Sequence, residues 1–230
     1  MSRRRRKSRE SSNQVGFKPV KLSGRTENQV TYIREINSHD VTLCAGPAGC
    51  GKTHVAVGSA VKALKTDKVG KIILCRPVVD VGTGIGYLPG DIRDKVGPYL
   101  VPLFDELAYY INQKFIKLLM EEGRIEICPL SMMRGRTFNN SFVILDEAQN
   151  ATTGELKMFL TRIGEGSKMV LVGDLHQSDL PARQRGGCGA CVDSLSECAE
   201  GVATVRLTSM DIVRHPLIAQ IQGFFEGTND

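Results

Sequence analysis

Between residues 41 and 64 the chain has a short apolar run, Val41 to Ala45, then the turn Gly46-Pro-Ala-Gly-Cys-Gly51-Lys52-Thr53, then Val57, Ala60, Val61 and Leu64 at helical spacing. That order predicts strand, loop and helix around a complete G-x-x-x-x-G-K-[ST] pattern. The glycines let the backbone curl so that successive amides point inward at phosphate oxygens. The helix start adds its positive dipole end. Lys52 is placed to neutralise the β- and γ-phosphates, and the Thr53 hydroxyl to ligate Mg²⁺. The expected nucleotide-binding residues are therefore Gly46, Pro47, Ala48, Gly49, Cys50, Gly51, Lys52 and Thr53, with His54 next in the helix. An ordinary glycine-rich turn is the competing reading, and the strand–loop–helix setting disfavours it.

A second apolar run, Phe142 to Leu145, ends in Asp146-Glu147. A carboxylate at a strand's C-terminal tip lies where open α/β sheets bind ligands. Asp146 is expected to hold the magnesium and Glu147 to polarise the water that attacks the γ-phosphate. A charge pair opening a helix is the plainer alternative. A third run, Met169 to Val172, leads to Gly173-Asp174-Leu-His-Gln177. Gln177 is a candidate for positioning the γ-phosphate or the lytic water, whereas His176 reads as a surface or supporting residue.

Apolar runs at 71–75, 125–128 and 203–207 complete six expected strands. Val30, Ile33 and Ile36 predict a short helix ahead of the first strand, and Phe104, Leu107, Ala108 and Ile111 a later one, with a helical stretch running on to Glu121. Thr152 and Glu155 have capping-box spacing. Residues 80–98, rich in Gly and Pro, read as a long loop, and a final helix is expected from Pro216. Short strands alternating with amphipathic helices imply an α/β fold, a mostly parallel sheet covered by helices on both faces. One such domain uses residues 26–230, and residues 1–25 read as a basic, disordered tail. Six of the 30 basic residues lie in positions 1–9, so the remainder, with 25 acidic residues, is close to neutral. Such a tail suits either a phosphate backbone or plain solvation.

The seven cysteines are an odd number spread through apolar runs, which points to reduced thiols and a cytoplasmic protein. Cys188, Cys191 and Cys198 raise the question of zinc, but no second close pair accompanies them, and small buried or loop thiols fit better. No run approaches the ~18 apolar residues of a membrane helix, and none follows the N-terminal charges as a secretory leader requires.

With these motifs in place the chain resembles the PhoH-like proteins, ATPases related to superfamily 1 helicases. The likeness covers roughly residues 28–222. It rests on Arg76-Pro77 with Gly86-Tyr-Leu-Pro-Gly90, Lys95, Pro98-Tyr99 and Pro102-Leu103, on Met133-Arg-Gly-Arg136-Thr137, on Ile144-Leu-Asp-Glu-Ala-Gln-Asn150, and on Ile212-Val-Arg214-His215-Pro216. The resemblance implies a single RecA-like P-loop NTPase domain. It also implies Gln29 as an adenine-reading glutamine, against the bland alternative of an exposed helix residue. Arg214 is implied as an arginine finger acting across a subunit boundary in a homo-oligomer, with a hexameric ring as the expected form. A local ion pair is the alternative for Arg214. Arg134 and Arg136 are open to nucleic acid, phosphate or subunit contacts. The cysteines of Gly186-Gly-Cys-Gly-Ala-Cys191 depart from the family pattern.

The expected function is a Mg²⁺-dependent ATP hydrolase coupling hydrolysis to remodelling of RNA or another single-stranded nucleic acid, with no membrane partner. The absence of N-K-x-D or T-K-x-D favours ATP over GTP. Few aromatic residues, 6% and no Trp, leave strand contact mainly electrostatic. The alternative is an oligomeric ATP-dependent switch or assembly factor without a nucleic-acid substrate. A small-molecule kinase is disfavoured, because Glu147 beside the γ-phosphate would waste ATP.

Overall fold

The computed structural model describes residues 16–78 and 92–213, with side chains of 92–99 excepted. Among the described residues six strands form one parallel sheet in the order β3-β2-β4-β5-β1-β6. They are β1 (Val41–Ala45), β2 (Lys71–Arg76), β3 (Ile125–Pro129), β4 (Ser141–Leu145), β5 (Lys168–Gly173) and β6 (Val202–Arg206). The register sets Ala45 beside Gly173 and Cys75 beside Leu145. Parallel pairing therefore collects the C-terminal tips of β2, β4, β5 and β1 along one edge, in that order.

Alternation along each strand divides the interior into two layers. Cys44, Ile72, Leu74, Ile144, Val170 and Val172 face one side. There they are covered by α1 (Glu27–Ser38), α2 (Lys52–Lys65), α3 (Ile92–Tyr110) and α4 (Gln113–Glu121). Leu43, Ile73, Val143, Leu145 and Leu171 face the other. That side is covered by α5 (Thr153–Leu160), α6 (Gly187–Cys198) and the segment carrying Leu130, Met133 and Phe138. The expected α/β fold with both faces covered is the one found. The Thr152–Glu155 capping box opens α5 with both of its reciprocal bonds.

Several local expectations need correction. In α1 the inward residues are Gln29, Tyr32 and Ile36, whereas Val30 is 55% exposed. The stripe turns by one residue because Gln29 and Tyr32 supply core contacts that an apolar count passes over. The expected loop over 80–98 shares its last residues with α3, which begins at Ile92. Leu103 and Leu107, both fully buried, anchor that helix through its prolines. Residues 16–25, assigned by sequence to the tail, lie against the body. Phe17 is buried edge-on to Phe115 at 5.4 Å, and the Lys18 amide donates to the Tyr110 carbonyl at 2.8 Å. One buried Phe is worth ~1.5–3 kcal/mol, enough to pin a short segment. Residues 1–15, the Gly86–Gly90 motif, Arg214 and the helix expected from Pro216 lie outside the described residues.

Candidate nucleotide site

The turn between β1 and α2 is built by close approach as much as by flexibility. A Cβ on Gly46 would come within 2.8 Å of the Leu207 side chain, so only glycine lets the turn pass the end of β6. Gly51 caps α2 at φ 83°, a left-handed conformation that suits glycine. The Lys52 ammonium folds over the turn, its Nζ donating to the Gly46 carbonyl at 2.7 Å and the Pro47 carbonyl at 2.8 Å. The cation thus rests against the carbonyls of the first two residues of the turn.

Thr53 Oγ1 donates to Asp146 Oδ1 at 2.7 Å. This bond brings together the start of α2 and the tip of β4, residues 93 positions apart in sequence. Burial holds the Asp146 carboxyl above its ordinary value, while the Thr53 hydroxyl opposes the shift by bonding the charged form. Two hard oxygen donors converging beside the ammonium fit Mg²⁺, which takes one or two protein oxygens and completes its shell with phosphate and water.

Beyond Asp146 a polar chain runs along the edge of the sheet. Arg76, the last residue of β2, donates from Nη2 to Glu147 Oε1 at 2.7 Å, and its Nε lies 3.7 Å from Asp146 Oδ2. Glu147 is left-handed at φ 54°. Gln149 Nε2 donates to Glu147 Oε2 at 2.5 Å, and Gln149 Oε1 accepts from the Asp174 amide at 2.9 Å. The tips of β2, β4 and β5 are thereby linked through side chains. Arg76 and Gln149 stood in sequence only as letters of a resemblance. Their positions, one at a strand tip and one two residues past a carboxylate pair, were the available signal.

The remaining candidates fall differently around this centre. Gln29 is 5% exposed, so the expectation of an exposed helix residue does not hold. Its Nε2 donates to the Cys50 carbonyl at 2.9 Å and its Oε1 accepts from the Arg25 amide at 2.8 Å, bracing the turn from behind. The His54 ring turns away to α3, with Nδ1 3.0 Å from Glu106 Oε2 and Nε2 2.8 Å from the Tyr110 hydroxyl. Its side chain therefore serves helix packing. Gln177 is exposed, on a loop held to the β4 side by Ser178 Oγ donating to the Gln149 carbonyl and by Asn150 pairing with Asp179.

Arg136 makes a two-point contact with Glu126, at 2.5 and 2.7 Å, and lies over the Phe138 ring. Arg134 is exposed. Cys188 is buried, Cys191 half-buried and Cys198 exposed, and the described residues hold no group of three or more His, Cys, Asp or Glu able to bind a metal. A cavity of about 550 Å³ opens beside Asp40, Val69 and Lys168 at the opposite, N-terminal edge of the sheet. A smaller hollow of about 190 Å³ adjoins Gly46, Pro47 and Asp174. Neither hollow is lined by Lys52, Thr53, Asp146 or Glu147, so the candidate site is marked by the chemistry of those side chains and not by a cavity. No helix among the described residues is long and apolar enough to cross a membrane.

Comparison with known proteins finds relatives of this chain. A family model described as PhoH-like protein matches residues 21–226. The PhoH-like protein of Synechocystis sp. is 49% identical over 205 residues, covering 89% of this chain and 62% of its own length. That of Bacillus subtilis is 45% identical over 205 residues, covering 89% and 64%. Protein PhoH of Escherichia coli is 42% identical over 200 residues, covering 85% and 56%. The chain thus spans less than two thirds of the length of these relatives. Among solved structures, the large terminase from a thermophilic bacteriophage superposes with a TM-score of 0.56 at 11% identity, over 86% of this chain and 49% of that one. That likeness is one of fold, the RecA-like P-loop architecture.

Proposed function

The chain belongs to the PhoH-like protein family, and on that premise we propose that it binds ATP with Mg²⁺ at residues 46–53 and hydrolyses it. The observation that carries this reading is the 2.7 Å bond from Thr53 to Asp146, which joins the phosphate-binding turn to the carboxylate tip of β4. The amides of Ala48 to Gly51 and the start of α2 receive the β- and γ-phosphates, and Lys52 exchanges the carbonyls of Gly46 and Pro47 for phosphate oxygens. Thr53 and Asp146 hold Mg²⁺, which supplies charge neutralisation for the transferring phosphoryl group. Glu147 orients and polarises the attacking water, with Gln177 assisting from its loop. Gln29 contributes by bracing the turn through Cys50, beside the adenine-reading role that the family resemblance suggests. Arg214 completes the site of a neighbouring subunit in a ring, stabilising the charge that develops on the phosphoryl group.

Hydrolysis is coupled, in this reading, to remodelling of RNA or another single-stranded nucleic acid in the cytoplasm. Kinship with superfamily 1 helicases and the basic first nine residues support that half. The test measures phosphate release by wild type and Glu147→Gln, with and without RNA. Glu147→Gln should lose about 10²- to 10⁴-fold in kcat while binding ATP within a few-fold of wild type. Full turnover in that variant would remove Glu147 from its role, and transfer of phosphate to a metabolite in place of release would end the hydrolase reading. A rate indifferent to RNA, with no RNA bound at low salt, would select the ATP-dependent switch.

A further inference from the structure

Glu147 is held from two sides. Oε1 accepts from Arg76 at 2.7 Å and Oε2 from Gln149 at 2.5 Å. Neither holder is a loose surface group. The Arg76 side chain is 20% exposed, and it approaches Asp146 as well. Gln149 is 6% exposed, and its amide orientation follows from its other bond, since Oε1 must face the Asp174 amide and Nε2 must then face Glu147. Charge-assisted bonds in partly shielded sites are stronger than exposed ion pairs. The backbone of Glu147 is left-handed as well, a conformation that disfavours a non-glycine residue and that these contacts help to hold.

A carboxylate that polarises water must present an oxygen to that water within hydrogen-bond reach. Each oxygen of Glu147 uses one acceptor site on a side chain of its own sheet edge, and these two bonds fix the direction of the acceptor sites left for water. We propose that Arg76 is a positioning residue that restrains Glu147, so that turnover requires the carboxylate to leave the guanidinium. Gln149 is tied to β5 through the Asp174 amide, and Arg76 reaches Glu147 from the end of β2. The inference rests on the hydrolase reading of Glu147 given above.

The test compares kcat and KM for ATP in wild type, Arg76→Met, Arg76→Lys, Glu147→Gln and the double variant Arg76→Met/Glu147→Gln. Met keeps much of the apolar stem and removes the charge. Arg76→Met should raise kcat roughly 3- to 10-fold, the scale of one modest ion pair removed from the ground state, with KM within about twofold. Arg76→Lys, a one-point cation, should fall between the two. The gain must vanish in the double variant, because it acts through Glu147. Affinity for a non-hydrolysable ATP analogue and the melting temperature, followed in every variant, separate a changed rate from a damaged fold. A kcat unchanged or lowered in a folded, nucleotide-binding Arg76→Met protein overturns the restraint. Equal turnover in wild type and Glu147→Gln would overturn the role of Glu147 on which the restraint rests, and no phosphate release by wild type would overturn the hydrolase reading, results distinct from the first.

Discussion

Thr53 occupies the one position where the two halves of the site touch, and its hydroxyl donates at 2.7 Å to a carboxylate that burial pushes toward its protonated form. Thr53→Ala removes a donor from the buried Asp146 and a hard oxygen from the Mg²⁺ site together. The Mg²⁺ concentration giving half-maximal phosphate release should rise about 10- to 100-fold, the range seen when a metal site loses a supporting group. Thr53→Ser, which keeps the oxygen, should stay near wild type. An unshifted Mg²⁺ titration in Thr53→Ala would remove Thr53 from the metal site. At this scale the sequence was informative wherever the chemistry is local. Residues 46–53, the proposed nucleotide-binding turn, form one contiguous stretch, and Asp146 declares itself by ending an apolar strand. Arg76 and Gln149 were mute because their roles arise from neighbours across the sheet. Strand order β2-β4-β5, which no local pattern states, brings Arg76 to Glu147 and ties Gln149, two residues on from Glu147, to the Asp174 amide after β5.

At the scale of elements, strand limits agree with the expected ones to within a residue or so, because a strand buried on both faces shows as a continuous apolar run. The start of α3 did not show. Gly97, Pro98 and Pro102 lie within that helix and read locally as breakers, each proline removing a backbone donor. Tertiary burial of Leu103 and Leu107 overrides them. Equally hidden was the junction between α1 and the end of β6. Asp211, 2% exposed, accepts from Thr26 Oγ1, from Asn28 Nδ2 at 3.0 Å and from the Thr208 amide at 2.7 Å. Burial alone would raise this carboxyl, but the hydrogen bonds from Thr208, Thr26 and Asn28 prevail and hold it below its ordinary value. A lowered folded pKa means stability that is complete above the unfolded value, ~3.9, and lost as pH falls through the folded one. Asp211→Asn should therefore cost about 1.5–3 kcal/mol at neutral pH and much less in acid. Urea melts of both proteins at pH 7 and near pH 3 test this, and an equal deficit at both would mean the charge contributes nothing.

For the whole molecule, the described residues form one α/β domain, and the proposed phosphate-binding edge lies along the C-terminal tips of its parallel strands. If Arg214 comes from the next subunit of a ring, each active site needs Glu147 from one chain and Arg214 from another. Glu147→Gln and Arg214→Ala are then each inactive for complementary reasons. Co-expressed in equal amounts, they assemble at random, and about a quarter of interfaces pair an intact Glu147 with an intact Arg214. The mixture should recover roughly that fraction of wild-type phosphate release per subunit, at a molar mass showing a ring by light scattering. An arginine acting within its own chain predicts another result, because every mixed particle would still hold one defect in every site and activity would stay at the level of the separate variants. Arg214→Ala should bind ATP nearly as wild type does, since the finger acts on charge that develops during transfer. Loss of binding in step with turnover would instead make Arg214 a ground-state ligand, and failure to complement would place it in its own subunit.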